Sequence, residues 1–178
     1  MTALLEAIGV TKTFGGGVFQ PSPTVALDDL SFKIETDSPA ITAVVGESGS
    51  GKTTLARILL GETPPTAGTV NYLGKDLTKL SRSERRTFRR DVQVIFQDPL
   101  ASLDPRMTVG NIIGEPLHTF HPELKRDASI ARIQEMMAKV GLLPEMINRY
   151  PHEFSGGQAQ RIGIARAMIL NPKLIDCD

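Results

Sequence analysis

One stretch decides the fold of this chain: Gly46-Glu47-Ser48-Gly49-Ser50-Gly51-Lys52-Thr53-Thr54. It is a complete phosphate-binding loop of the form GxxxxGK followed by Ser or Thr. Its glycines let the backbone curl, so that successive N–H groups point inward at phosphate oxygens. Lys52 places a positive charge on the outer phosphates, and the Thr53 hydroxyl can complete a Mg²⁺ shell. We therefore predict that residues 46–54 bind a nucleoside triphosphate together with Mg²⁺.

The flanking residues supply the strand and the helix that such a loop requires. The apolar, β-branched run Ala-Ile-Thr-Ala-Val-Val at 40–45 predicts a short buried strand before the loop. Leu55, Ile58 and Leu59 give the next segment an apolar helical face. This helix starts near Lys52, where the positive end of its dipole attracts phosphate. Gly61 is a natural terminator for it.

Composition places the chain among ordinary globular proteins. Its 178 residues are 40% hydrophobic and 22% charged, enough for one domain with a sizeable core and an inserted subdomain. Lys and Arg together number 20, as do Asp and Glu, so the net charge is zero. The charge balance therefore gives no indication of nucleic-acid binding. No apolar run reaches the roughly 18 residues of a membrane span, and no signal-peptide pattern is visible. The single cysteine, Cys177, fits a reducing cytosol.

The remaining segments alternate between predicted strands and helices. Strands are predicted over 4–10, 26–34, 69–73 and 92–96. The stretch from 104 to 153 shows helical periodicity up to Gly141 and predicts an inserted helical subdomain. The predicted fold is therefore α/β with three parts: an N-terminal β subdomain with the phosphate-loop core (1–103), the helical subdomain (104–153), and a last helix and strand (154–178).

A charged helix is predicted over 81–90. It carries five arginines: Arg82, Arg85, Arg86, Arg89 and Arg90. Such a cluster can contact phosphate or RNA, but Phe88 is the only aromatic beside it, so a solvated face is the prediction. The chain has three histidines without a metal-ligand spacing, and no metal site is expected from them: His118, His121 and His152.

A second motif, Phe154-Ser155-Gly156-Gly157-Gln158, follows the loop by about a hundred residues. Ser155 is a good N-cap, and the two glycines let the backbone approach a ligand closely at the start of a helix. The predicted helix runs to Leu170 and stops before Pro172. Taken alone, this motif is also explained by a plain helix cap that binds no ligand. After a phosphate loop it becomes a strong signal.

With both motifs, nearly the whole chain resembles the ATP-binding subunits of ABC transporters, whose signature is Leu-Ser-Gly-Gly-Gln. Phe154 departs from the first position, an apolar change that should keep the phosphate contacts. The resemblance implies a P-loop NTPase core that binds ATP with Mg²⁺. It also implies that ATP is contacted by Ser155, Gly156, Gly157 and Gln158.

Three longer segments resemble the branch that drives dipeptide, oligopeptide and nickel import: 94–106, 115–117 and 149–157. The resemblance identifies Phe14 as the aromatic platform for adenine, with Phe19 a less favoured candidate. It also identifies Gln97, at the end of an apolar strand, as the glutamine that reaches Mg²⁺ and the attacking water.

The resemblance places the family's Mg²⁺-associated aspartate, the Walker B residue, six positions after a proline. Counting from Pro172 gives Asp178. Asp176 is the alternative, but only Leu174 and Ile175 would then precede it, and that run is too short. In a strand the two carboxylates would face the same side, so one would tend to protonate or need a partner. Asp178 is therefore the predicted metal residue, with Thr53 and Gln97.

In the family, a catalytic glutamate follows that aspartate and a switch histidine comes later. The sequence stops at Asp178 and contains neither. Since phosphoryl transfer to water needs a group that orients or deprotonates the water, this chain alone is expected to be a truncated form without turnover.

The resemblance implies a peripheral subunit on the cytoplasmic face of the cell membrane. The implied function is ATP hydrolysis that energises import of peptides or a related solute, with nickel possible. The implied partners are a second ATP-binding subunit, integral permease subunits and, indirectly, a solute-binding protein, but no nucleic acid. Two alternatives stay open: a nucleotide-binding fragment without turnover, and a soluble ABC ATPase that is not linked to transport.

Overall fold

The computed structural model describes residues 3–15, 22–35 and 40–177. Within them the chain forms two compact units, one ending at Phe88 and the other starting at Arg89. The strands and helices are β1 (Ala3–Phe14), β2 (Thr24–Glu35), α1 (Lys52–Leu59), β3 (Ala67–Tyr72), β4 (Lys75–Asp76), α2 (Arg82–Asp91), β5 (Val92–Ile95), α3 (Val109–Phe120), α4 (Arg126–Lys139), α5 (Gly156–Met168) and β6 (Leu174–Cys177). Short 3₁₀ helices cover Leu77–Lys79, Pro144–Asn148 and Pro151–Glu153.

The first unit contains an antiparallel sheet with strand order β2-β1-β3-β4. Its central strand β1 pairs with β2 on one side and β3 on the other. Leu5 and Ala7, two residues apart, share one face of β1 and are almost fully buried, as a period of two predicts for a half-buried strand. The predictions of strands over 4–10, 26–34 and 69–73 are confirmed, and β1 and β2 extend further than predicted.

Helix α1 packs on this sheet through the apolar face that its sequence predicts. Leu55 and Ile58 are buried, and the helix contacts both β1 and β2. The helix ends at Leu59, and Gly61 has a φ of +69°, a conformation that favours glycine after a helix. The phosphate loop therefore leads into a helix that is fastened to the sheet.

The predicted strand over 40–45 is wrong. These residues form no regular secondary structure, and Ile41 and Val45 are almost completely exposed. A strand exists only when a neighbouring strand accepts and donates its backbone hydrogen bonds. The four-stranded sheet ends at β2 and β4, and among the described residues no strand pairs with this run. Its β-branched side chains suit a sheet, but they do not supply the partner.

The second unit is built on a parallel pair, β5 and β6, with Val92 opposite Leu174 and Ile95 opposite Cys177. Parallel strands need a long crossover connection, and here α3, α4 and α5 lie in it. These helices share one core of largely aliphatic side chains, with Ile113, Leu117, Met137 and Ile162 almost fully buried. The predicted helical character of 104–153 is confirmed, while the three-part division of the chain stays a prediction.

A buried carboxylate ties the starts of β5 and β6 together. Asp91, immediately before β5, is 3% exposed. It accepts hydrogen bonds from Arg90 Nε at 2.9 Å and Lys173 Nζ at 2.7 Å. The backbone N–H of Lys173, immediately before β6, donates to the Asp91 carbonyl at 2.8 Å. This cluster holds the two strands in their register.

Candidate functional site

The phosphate loop is an exposed turn closed by its own backbone and by Lys52. The N–H of Ser50 donates to the carbonyl of Glu47 at 3.2 Å. The Lys52 ammonium donates to the carbonyl oxygens of Gly46 and Glu47, at 2.8 and 2.7 Å. The positive charge of Lys52 therefore lies across the loop, on the side of the carbonyls that the turn brings together.

Gly51 fixes where this loop lies in the first unit. Its φ is +94°, and a Cβ at this position would lie 2.3 Å from the carbonyl oxygen of Ala26 in β2. Its own carbonyl accepts the first helical hydrogen bond, from the N–H of Leu55 at 2.8 Å. Only glycine combines this conformation with this closeness to a strand backbone. The sequence motif requires a glycine here, and the structure gives the reason.

The N-terminus of α1 is suited to an anion. Gly51 is the N-cap and offers no side chain to the first-turn N–H groups, and the first turn holds no acidic residue. These backbone donors and the positive end of the helix dipole are favourable to a phosphate. Thr53 is exposed and Thr54 half-buried in the same turn. The loop and the helix start thus supply the donors expected of a phosphate-binding site.

Phe14 is the last residue of β1, where it pairs with Thr24 of β2. Its side chain is 46% exposed, and the Lys12 ammonium lies 5.2 Å from the ring centroid. A half-exposed ring with a cation nearby is compatible with stacking on a purine. Its role in binding adenine stays a prediction. The rival, Phe19, lies outside the described residues.

Gln97 is an exposed residue two positions beyond the end of β5. It precedes a compact loop in which the Asp98 carboxylate accepts a hydrogen bond from the N–H of Ala101 at 3.0 Å. An amide at this strand end can offer its carbonyl oxygen to a cation or a water. Gln97 lies where it was predicted, after an apolar strand, and its catalytic role stays a prediction.

The signature motif starts α5 with a reciprocal capping box. The N–H of Gln158 donates to Ser155 Oγ at 3.3 Å, and the N–H of Ser155 donates to Gln158 Oε1 at 2.9 Å. The predicted N-cap role of Ser155 is therefore confirmed. The Ser155 hydroxyl proton and the Gln158 amide N–H groups are not consumed by this box. They stay as donors for a further acceptor.

Packing among the residues that the structure describes does not explain the two glycines of this motif. A Cβ on Gly156 or Gly157 would meet no atom within 4 Å, and neither residue has a positive φ. Glycine in a helix costs roughly 0.5–1 kcal/mol relative to alanine. The open space over these residues leaves their backbone accessible from outside.

Strand β6 matches the predicted apolar strand before the metal residue. Asp176 is half-buried in it and lies opposite Val94 of β5. Asp178 lies outside the described residues, so its preference over Asp176 stays a prediction. The expected Mg²⁺ ligands, Thr53, Gln97 and Asp178, would offer hydroxyl, amide and carboxylate oxygens. This donor set fits a hard cation.

The predicted residues divide between the two units. Phe14 and the loop belong to the first unit; Gln97 and the signature motif belong to the second. Sequence reasoning missed Arg166, whose guanidinium donates to a backbone carbonyl 64 residues away in the chain, and the buried Asp91. No short motif marks either residue. For Asp91 the only signal is a carboxylate next to an apolar strand.

Together, a phosphate loop on a β-sheet unit and a capped Ser-Gly-Gly-Gln helix on a helical unit define a nucleotide-binding α/β domain of the P-loop class. Residues 27–178 match the sequence family described as ABC transporter, and the chain belongs to that family. Among the described residues, none of the helices has the length and apolar character needed to cross a bilayer.

Curated relatives are subunits named for peptide transport. The chain is 56% identical over 161 residues to the oligopeptide transport ATP-binding protein OppF of Salmonella typhimurium, covering 90% of this chain and 48% of that protein. It is 44% identical over 181 residues to the di/tripeptide transport ATP-binding protein DppF of Pseudomonas aeruginosa, covering 100% and 55%. The chain thus spans about half the length of the curated relatives it matches.

Solved structures show the same fold. The ATP-binding cassette MJ0796, a dimer in a post-hydrolysis state bound to ADP and Pi, gives a TM-score of 0.83 at 28% identity, covering 98% of this chain and 73% of that one. The cbiO1 protein from Clostridium perfringens, part of the transporter complex cbiONQ, gives 0.77 at 23% identity, covering 100% and 66%. The fold is that of an ABC ATPase, with an antiparallel N-terminal sheet and added helices.

Proposed function

We propose that this chain is the ATP-binding part of a subunit that hydrolyses ATP to energise the import of oligopeptides or dipeptides. The observation that carries the proposal is the start of α1. An exposed glycine loop leads into a helix whose first-turn N–H groups receive no side-chain cap and whose first turn carries no acidic residue. A triphosphate would satisfy these donors. The names of the relatives support the transport role and the class of solute.

When ATP binds, the Lys52 ammonium would turn toward the outer phosphates. The ammonium bonds two exposed carbonyl oxygens of the loop, and a neutral carbonyl oxygen attracts a cation less strongly than an anionic phosphate oxygen does. A phosphate near the loop would therefore draw the ammonium away from Gly46 and Glu47. Gly46, Glu47, Ser48, Gly49, Ser50 and Gly51 supply the surrounding backbone of the proposed site. Phe14 is proposed to stack on adenine.

Thr53, Gln97 and Asp178 would hold Mg²⁺, which neutralises charge on the phosphoryl oxygens when bound. Gln97 is also proposed to orient the attacking water through its amide. A glutamine is a poor proton acceptor, so its contribution would be positioning and not proton abstraction.

Two such subunits are proposed to enclose ATP between them. The donors of Ser155, Gly156, Gly157 and Gln158 would contact the outer phosphate bound at the other subunit's loop. The open space above the two glycines supports this arrangement because a phosphate needs close access to backbone N–H groups. The dimeric state of the solved cassette MJ0796 supports it independently.

The proposed location is the cytoplasmic face of the membrane, where the subunit would act on integral permease subunits and, through them, on a solute-binding protein. Closure of the two subunits would move the permease. Peptides are the preferred solute, since the relatives named above carry oligopeptide and di/tripeptide names. Nickel is the alternative within the same branch. Peptide-loaded binding protein, but not the nickel-loaded form, should stimulate ATP turnover of the reconstituted complex.

Binding of ATP and adenosine to a Lys52→Ala variant tests the nucleotide site. Lys52→Ala removes the charge on the outer phosphates, so the affinity for ATP should fall much more than that for adenosine. Lys79→Ala, which removes a lysine paired with Asp76, serves as the control and should leave both affinities unchanged. Isothermal titration on the full-length protein that carries this sequence gives both values. Equal weakening of ATP and adenosine would reject the assignment of Lys52.

A further inference from the structure

The loop that follows Gln97 is a compact turn held by its own hydrogen bonds. The N–H of Ser102 donates to the Asp98 carbonyl at 3.2 Å, and the Ser102 hydroxyl donates to the Pro99 carbonyl at 2.8 Å. The N–H of Leu103 donates to the Leu100 carbonyl at 3.3 Å. Residues 98–103, called the Gln97 loop below because they follow Gln97, are therefore held together by local hydrogen bonds.

Two contacts fasten this loop to the signature helix α5. Leu103 is 3% exposed and lies in the same core as Ile162 and Ala165 of α5. Nη1 of Arg166, also on α5, donates to the Ser102 carbonyl at 2.9 Å. One contact is apolar and the other is a charge-assisted hydrogen bond, so the second fixes direction as well as distance.

The environment of Arg166 opposes the charge of its guanidinium through burial. Arg166 is half-buried, and burial lowers the pKa of its guanidinium, while the nearby Glu115 carboxylate on α3 raises it. A lysine or a neutral residue of similar length would fill the space without offering a planar, fixed set of donors. A half-buried arginine whose guanidinium donates to a loop carbonyl is difficult to explain by core packing alone.

We infer that Arg166 is a positioning residue that couples the Gln97 loop to the signature helix, so that Gln97 and Ser155 change orientation together. The inference rests on the function proposed above, in which Gln97 and Ser155 contact different ATP molecules. Through Arg166, a displacement of Gln97 at one ATP would be passed along α5 to the Ser155 end that contacts the other. Arg166 itself touches neither nucleotide in this scheme.

Hydrogen–deuterium exchange tests the mechanical link without requiring activity. In Arg166→Met, the amides of residues 98–103 should exchange about tenfold faster, the effect expected for one lost charge-assisted hydrogen bond. Arg161→Met is the matched control, because Arg161 lies on the same helix and donates Nη1 to a carbonyl at 3.0 Å, but to Gly141 after α4. It should leave the exchange of the Gln97 loop unchanged. Equal acceleration in both variants, or in neither, overturns the inference.

A conservative variant keeps the test valid if Arg166→Met does not fold. Arg166→Lys retains a positive charge and one possible donor, so exchange in the Gln97 loop should lie between that of the parent and that of Arg166→Met. Arg161→Lys is its control and should match the parent. If Arg166→Lys also matched the parent, the guanidinium geometry would have no role and the inference would be wrong.

Kinetics of the full-length protein separate positioning from a merely structural role. At temperatures well below unfolding, Arg166→Met should lower kcat about tenfold and change KM for ATP little, because the reacting geometry and not ground-state binding is lost. Gln97→Ala should then cost less in the Arg166→Met background than in the parent, since both changes disturb the same element. Additive losses would overturn the inference. ATP turnover that survives Lys52→Ala would instead reject the proposed function. Hydrogen–deuterium exchange of residues 98–103 would then still decide whether Arg166 holds the Gln97 loop to α5.

Discussion

Substitution of Gly51 by alanine tests whether the phosphate loop is held against β2. The added methyl group meets two obstacles. The backbone has a φ of +94°, in the left-handed region, and Cβ would lie 2.3 Å from the carbonyl oxygen of Ala26. That oxygen belongs to a strand paired with β1, so it cannot retreat without disturbing the sheet.

Gly49 offers a matched control in the same loop. Its φ is +82°, but a Cβ there would meet nothing within 4 Å. The left-handed conformation costs an L-residue about 1–2 kcal/mol, and overpacking against fixed atoms costs about 1–3 kcal/mol more. Gly49→Ala should therefore lose about 1–2 kcal/mol and Gly51→Ala about 2–5 kcal/mol, because only the second carries both costs.

Urea unfolding of the full-length protein measures this difference, provided that the m values of the two variants agree. Titration with ATP forms the second readout, since a loop pushed away from β2 also loses the start of α1. We expect Gly51→Ala to be the weaker binder. Equal losses of stability for the two variants would show that the loop does not lie against Ala26, and the site described above would be misplaced.

Three further predictions concern the adenine platform, the signature cap and the buried carboxylate. Phe14→Ala should weaken ATP binding by about 1–3 kcal/mol in a titration, while Phe14→Tyr largely preserves it; unchanged affinity in Phe14→Ala would reject stacking. Ser155→Ala should lower thermal stability by about 1 kcal/mol through loss of the cap. Ser155→Asp keeps a cap but sets a negative charge against phosphate, so it should retain stability and lose ATP turnover; full turnover would contradict the phosphate contact. Asp91→Asn should cost about 1–3 kcal/mol in urea unfolding, because the hydrogen bonds from two half-exposed cations lose their anionic acceptor; a loss no larger than that of Lys173→Met would contradict this.

Local sequence chemistry was sufficient for the loop, the signature cap and most strands. The phosphate loop is recognisable because glycine, lysine and threonine perform their roles within nine consecutive residues. The cap at Ser155 is equally local, since both of its hydrogen bonds join residues three apart. Strand β1 follows from the largely apolar run over 4–10 that the sequence itself displays. In each case, the residues that determine the feature are neighbours in the chain.

Features that depend on distant partners were not predictable in this way. The run at 40–45 has the composition of a strand. A strand also needs a neighbouring strand to hydrogen-bond with, and the sequence of the run does not show whether one is present. The Arg166 contact joins residues 64 positions apart through a backbone carbonyl, which leaves no constraint on the identity of Ser102. Asp91 reads as an ordinary charged helix residue until its burial is known.

The open space above Gly156 and Gly157 has a consequence for engineering. Alanine would fit at both positions without a clash and would strengthen the first turn of α5, by roughly 0.5–1 kcal/mol at each. A procedure that selects for thermal stability alone would therefore replace these glycines early. On the function proposed above, the result would be a more stable helix whose backbone a phosphate could no longer approach closely. On that proposal, this chain gives up some folding free energy at Gly156 and Gly157 in exchange for access to the backbone.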